Sequence, residues 1–155
     1  MWYALSMPSL TPKRIDGHTY YYIDSWTGRI DAYTYDSSTG ELGERRTAVE
    51  ISRNLGFADG MCVDTDGCLW IAIWGVGQVR RYSPSGELDL VVDFPISQVT
   101  SCAFVGPDLD VLVVTSARRH LSDAQAADEP HAGSVFCLRP GHHGLPPTLW
   151  RSTPS

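Results

Sequence analysis

The sequence predicts an all-β fold, a partial β-propeller of about three blades, each a four-stranded antiparallel unit. Three observations predict it. Short apolar or alternating stretches recur between Asp-Gly, Pro-Ser-Gly and Gly-Pro-Asp turns. No segment holds a helical apolar period for three turns, so no helix is expected. One strand–turn–strand pattern also repeats along the chain, and a four-stranded unit recurring every ~40–50 residues is the mark of a propeller blade.

The elements follow in order. Residues 1–18 carry little pattern. Thr19–Asp24 (TYYYID) is a strand by its aromatic and β-branched content. Residues 25–28 turn the chain, and Arg29–Tyr35 alternates Ile30, Ala32 and Thr34 with Arg29, Asp31, Tyr33 and Tyr35. Residues 36–40 (DSSTG) form a hairpin loop, 46–51 a weaker strand and 53–58 a loop.

The stretch 58–81, ADGMCVDTDGCLWIAIWGVGQVRR, organises the rest. Asp59-Gly60 reads as an acidic turn into a strand at 61–64. Asp66-Gly67 supplies a tight turn, because Gly tolerates positive φ and Asp bonds its own backbone. Residues 68–74 form an almost wholly apolar strand, Gly75-Val76-Gly77 turns again, and 78–83 is a third strand. Beyond it, strands are expected at 87–94, 100–105, 110–116 and 133–138, with a last short one at 148–150; 117–130 reads as a long polar loop.

The repeat shows in the turns. Asp16-Gly17 and Asp66-Gly67 are offset by 66 − 16 = 50, and Tyr33 and Tyr82 by 82 − 33 = 49. Gly-Glu-Leu closes both units, and a third copy starts at Asp108, 108 − 66 = 42 further on, with DVLVVTS answering CLWIAIW. Such a unit cannot bury both faces alone and must stack on neighbours. Three blades do not close a ring, since propellers run from about four to eight blades.

Composition bounds the function. At 155 residues and 43% apolar, the chain has enough material for one domain with a real core. A formal charge of −6, with its basic pairs scattered, argues against a nucleic-acid surface. No apolar run reaches the ~18–20 residues of a membrane helix, and the N-terminus, broken by Pro8, is a poor secretory signal. Cys62, Cys68, Cys102 and Cys137 lack CxxC spacing and read as reduced thiols in a cytoplasmic protein.

The ordered set DGMCVDTDGCLWIAIWGVGQVRRYSPSGEL, TSCAF at 100–104, GPDLDVLVVTSAR at 106–118 and HAGSVFCL at 131–138, with YYIDSWTGRIDAYTYDSSTGEL before it, resembles the senescence marker protein/regucalcin/gluconolactonase family. The likeness spans 19–150 in the right order, leaving 1–18 as an atypical start and 151–155 as a tail. It implies relation to the six-bladed calcium-dependent phosphotriesterase/gluconolactonase propellers, of which this chain resembles the C-terminal half. It also implies one divalent cation, Ca²⁺ or Zn²⁺, and hydrolysis of sugar lactones such as glucono-1,5-lactone. By motif match, Asp59 is one of the family's three metal ligands and its catalytic carboxylate. The Glu ligand and the substrate-contacting Arg and Asn belong to blades outside the matched region. The Asn ligand's expected turn reads MPSLTPKR here, with Ser9 near its place, so a truncated or alternatively spliced start is expected.

The chemistry explains the weight on Asp59. A hard dication polarises the lactone carbonyl and lowers the pKa of water, and a carboxylate serves as ligand and general base. One carboxylate alone holds a dication weakly. Among other residues, Trp70 and Trp74 read as packing between blades or as a wall for a sugar ring. His120, His131, His142 and His143 lie in loops at no metal spacing, and Asp128 and Glu129 sit either in a flexible insertion or in one folded over a pocket. Ser101 has no triad partners; Asp64, Asp66 and Asp108 are turn formers. Two classes remain: a metal-dependent lactonase, or a non-catalytic propeller fragment pairing with a second copy or a full-length relative. No nucleic-acid or membrane partner is expected.

Overall fold

A computed structural model describes residues 18–147. The strand predicted at 148–150, the Asp16-Gly17 turn and Ser9 lie outside them. Ten strands form three antiparallel sheets. Sheet 1 holds β1 (Thr19–Asp24), β2 (Arg29–Tyr35) and β3 (Leu42–Glu50). Sheet 2 holds β4 (Phe57–Val63), β5 (Leu69–Trp74), β6 (Gln78–Tyr82) and β7 (Leu88–Asp93). Sheet 3 holds β8 (Val99–Val105), β9 (Val111–Ser116) and β10 (Val135–Leu138). Each is a meander of neighbours in sequence, the cheapest antiparallel connection. Sheet 2 has the predicted four strands. In sheets 1 and 3 three strands are described; the positions answering to β4 before β1 fall outside the described residues, and of those answering to β7 after β10 only 144–147 are described, where Gly144 makes an isolated bridge to Asp64.

The sheets stack face to face. Leu69, Ile71 and Ile73 of β5 pack with Tyr21, Ile30 and Ala32 of sheet 1. The opposite face of sheet 2, with Cys62, Trp70, Ala72 and Val79, packs on Val99, Cys102, Leu112 and Val114 of sheet 3. β5 is apolar on both faces because a sheet lies on each side of it. Leu112 and Val114 take the place in sheet 3 that Leu69 and Ile71 take in sheet 2, an offset of 112 − 69 = 43. The offset of 42 read from the sequence is therefore one residue short, and a one-residue slip exchanges the faces.

Two further corrections concern local structure. β3 starts at Leu42, four residues ahead of the predicted strand, its added part held by pairing with β2 rather than by burial. The loop at 117–130 contains a helix, α1 (Asp123–Asp128). Six residues with none buried leave no apolar period to read, but a capping box secures it: Ser122 Oγ accepts from Gln125 N, and Gln125 Oε1 accepts from Ser122 N. A single 3₁₀ turn spans Arg53–Leu55. No helix among the described residues is long and apolar enough to cross a membrane.

Candidate functional site

Asp59 lies inside β4, not in a turn before it. Ala58 pairs with Ile73 and Met61 with Ile71, so Asp59 and Gly60 together oppose Ala72. This is a β-bulge, a device that re-aims a side chain and is frequent beside active sites. An Asp-Gly pair reads as a turn in sequence; the partner strand and the neighbouring sheet convert it into a bulge. β4 is the first strand of sheet 2 and packs against β8, the first strand of sheet 3, so the bulge sits where the sheets converge.

The Asp59 carboxylate is half-buried and has no hydrogen-bond or ion-pair partner among the described residues. Burial raises its pKa from 3.8 to about 6, with no cation to offset the loss of water. A half-buried carboxylate of this kind suits a cation ligand or a general base, since both roles use free oxygen lone pairs.

The rim around β4 is partly aromatic. Phe57, two residues ahead of Asp59, meets Trp26 edge to face at 6.5 Å, and the Arg53 guanidinium lies 5.6 Å from the Phe57 ring centre. β8 repeats the bulge between Val99 and Ser101, leaving Thr100 at its apex, where its hydroxyl bonds that of Thr115 at 2.7 Å. Nothing in the sequence separates Thr100 from an ordinary strand residue; the repeated bulge does.

The insertion carrying α1 is strapped to the connector before β8. Glu129 Oε2 accepts from the Ser97 amide at 2.8 Å and from its hydroxyl at 3.0 Å. The Gln98 side chain donates to Arg119 O at 2.7 Å and accepts from Arg119 N at 2.8 Å. Glu129 ties this segment to the connector before β8; Asp128 ends the helix exposed.

A second constellation sits at the other end of sheet 2. Asp64, fully buried, accepts from Asp66 N (3.0 Å), Cys68 N (2.9 Å), Trp70 Nε1 (2.8 Å) and Arg81 Nε (2.7 Å). Arg81 also reaches Asp66 at 2.7 Å and Asp89. Burial alone lowers the Arg81 pKa, but the Asp64 and Asp89 hydrogen bonds outweigh it and hold the guanidinium charged. Trp70, wholly buried and edge-on to Phe104 at 5.5 Å, is packing, not a wall for a ligand; Trp74 is half-buried.

His142 is drawn into this end, its Nδ1 3.5 Å from Asp66 Oδ2 and its ring against Trp70. Asp64, Asp66 and His142 thus offer ligand atoms within 4.8 Å of one another, a grouping with no visible spacing in sequence. Arg81 already supplies the positive charge, and the hydrogen bonds on Asp64 engage both of its oxygens. The network closes a turn, as expected of Asp64 and Asp66. His143 is held at both ends, its carbonyl accepting from Thr65 N at 2.9 Å and its ring Nδ1 3.0 Å from Asp108 O, while His120 and His131 are exposed.

The profile of the SMP-30/Gluconolactonase/LRE-like region matches residues 14–118. Regucalcin of Gallus gallus is 38% identical over 135 residues, covering 86% of this chain and 45% of that protein. A solved structure of regucalcin from Agrobacterium tumefaciens, described as a calcium-binding protein, superposes with a TM-score of 0.82 at 34% identity, over 88% of this chain and 47% of that one. A gluconolactonase of Xanthomonas campestris superposes with a TM-score of 0.58 at 27% identity, over 70% and 34%. The chain spans about half the length of the regucalcins it matches. The matched profile, the identities and the shared sheets together place this chain in the SMP-30/Gluconolactonase/LRE-like family.

Proposed function

We propose that this chain contributes to metal-dependent hydrolysis of a sugar lactone, with Asp59 as metal ligand and general base. The observation that carries the reading is the Asp59 carboxylate itself: half-buried, aimed by a bulge, without a partner among the described residues, and raised to a pKa of about 6. The donor chemistry fits a divalent cation that accepts a carboxylate oxygen, Ca²⁺ or Zn²⁺. When bound, such an ion supplies Lewis-acid polarisation of the lactone carbonyl.

The chain's own part is positional and acid–base. The bulge holds the carboxylate, and in the metal-free chain a pKa of about 6 leaves it mostly ionised at neutral pH, the form that binds a cation or accepts a proton from water. The exposed Trp26 and the partly exposed Phe57 ring form an apolar edge at the start of the same strand. A cytoplasmic setting is proposed from the cysteine spacing, which has no CxxC pattern.

The test is hydrolysis of glucono-1,5-lactone with added Ca²⁺ or Zn²⁺, comparing the chain with Asp59→Asn. A metal-dependent rate lost in the variant supports the reading, and one that survives the substitution removes Asp59 from the reaction.

A further inference from the structure

The two outer sheets leave faces open that the middle sheet buries. In sheet 2 the row Cys62–Trp70–Arg81 and the pair Ala72–Val79 are covered by sheet 3. Strand pairing fixes their counterparts in sheet 3: the row Ala103–Val113–Cys137 and the pair Thr115–Val135. There the same face meets solvent. Val135 is 61% exposed and Val105, further along β8, 40%, while Ala103, Thr115 and Cys137 are also exposed. This is a nearly uncharged surface of small and β-branched side chains, the composition of a sheet-on-sheet interface.

The opposite end of the stack carries the matching half. Tyr20 pairs with Tyr33 as Leu69 pairs with Tyr82, and Tyr22 pairs with Asp31 as Ile71 pairs with Arg80, each at an offset of 69 − 20 = 49. Leu69, Ile71 and Tyr82 are the residues with which sheet 2 seats on sheet 1. Tyr20, Tyr22 and Tyr33 hold those positions on the outer face of sheet 1 and are only half-buried, while Asp31, opposite Tyr22, is buried in an ion pair with Arg45. One end of the chain thus presents the receiving face of a sheet-on-sheet contact, and the other end the inserting face.

We propose that a second copy of the chain fills both ends. Sheet 1 of each copy seats on sheet 3 of the other, and this contact, used twice about a two-fold axis, makes a closed ring of six sheets. The contact is the one the chain already makes internally between sheets 1 and 2 and between sheets 2 and 3. The chain superposes at a TM-score of 0.82 on 47% of the Agrobacterium regucalcin chain, about the half that one of two equal arcs requires if that chain forms the six-bladed ring the family resemblance implies. A head-to-tail contact closes when its rotation completes a circle, which two half-arcs achieve. The proposal is independent of lactone chemistry.

Cys137 is the one exposed cysteine of the four and lies on the proposed interface, so it reports on it directly. Sedimentation at micromolar concentration should give a discrete species of 2 × 17.1 = 34.2 kDa. Native maleimide labelling of Cys137 should then be slowed at least tenfold relative to Val135→Arg. That substitution, at a side chain already in water within one copy, should leave the far-UV circular dichroism unchanged and yield a monomer with rapid labelling. A wild-type monomer, an open-ended polymer, a dimer that labels as fast as the variant, or a dimer that survives Val135→Arg would each overturn the proposal.

Discussion

Gly60 in β4 lies against Ser101 in β8 so closely that no β-carbon fits between them. A Cβ built at Gly60 would stand 2.2 Å from Ser101 Oγ and 2.8 Å from Ser101 Cα. Neighbouring sheets therefore approach backbone to side chain at the bulge that positions Asp59. The hydroxyl can rotate away, but the Ser101 backbone cannot move without parting β4 from β8. Gly60→Ala should cost about 1–3 kcal/mol of stability, as overpacking does. Ser101→Gly in the same chain should recover part of that loss, read as a coupling in a double-mutant cycle by urea unfolding. Additive effects would mean that the two residues do not limit each other.

Arg81 is the hub of the other end of sheet 2, and removing it leaves Asp64 buried with a charge and no cation. Arg81→Met should destabilise the chain by about 3–5 kcal/mol, the usual loss when one partner of a buried pair is deleted. Trp70→Phe, which removes only the indole donor to Asp64, should cost less, about 1–3 kcal/mol. Chemical denaturation of the two variants checks the order. A smaller loss for Arg81→Met than for Trp70→Phe would contradict the hub reading.

The raised pKa of Asp59 has a stability signature of definite sign. Below pH 3.8 the carboxyl is protonated in both folded and unfolded chains, and it contributes no pH dependence. Between 3.8 and about 6 the unfolded chain ionises while the folded one keeps its proton, so stability falls as pH rises; above about 6 the loss is complete. Its size is up to about 3 kcal/mol, less the screening from partial solvent contact. Asp59→Asn lacks this titration. In metal-free buffer it should match the wild type near pH 3.5 and be the more stable protein at pH 7. A stability difference that stays constant from pH 3.5 to 7 would contradict the assigned burial.

Much of this architecture was legible because period-2 patterns and turn dipeptides are local signals. β1, β2, β5 and β6 lie within a residue of expectation, since alternation and the Asp-Gly and Gly-Val-Gly turns mark them. What escaped depends on neighbours. Phe57–Gly60 reads as loop and turn, yet Ile73 and Ser101 draw it into a bulged strand. The third repeat reads one residue off because 111–114 (VLVV) is apolar at four successive positions, so sequence alone does not tell its faces apart. The Asp64–Arg81–His142 grouping joins residues 17 and 61 positions apart in number (81 − 64 and 142 − 81), which no spacing rule connects. The motif marks Asp59; its lack of partners among the described residues shows only in three dimensions.

The thermal unfolding midpoint at pH 7.5, followed against calcium concentration for the wild type and Asp59→Asn, tests the metal-ligand role of Asp59 most directly. A ligand that binds only the folded state raises the midpoint with its concentration. The account predicts a rise in the wild type over roughly 0.1–10 mM Ca²⁺, a range suited to a site with few protein oxygens, and a flat response in the variant. An equal rise in both proteins, or none in the wild type, would contradict it.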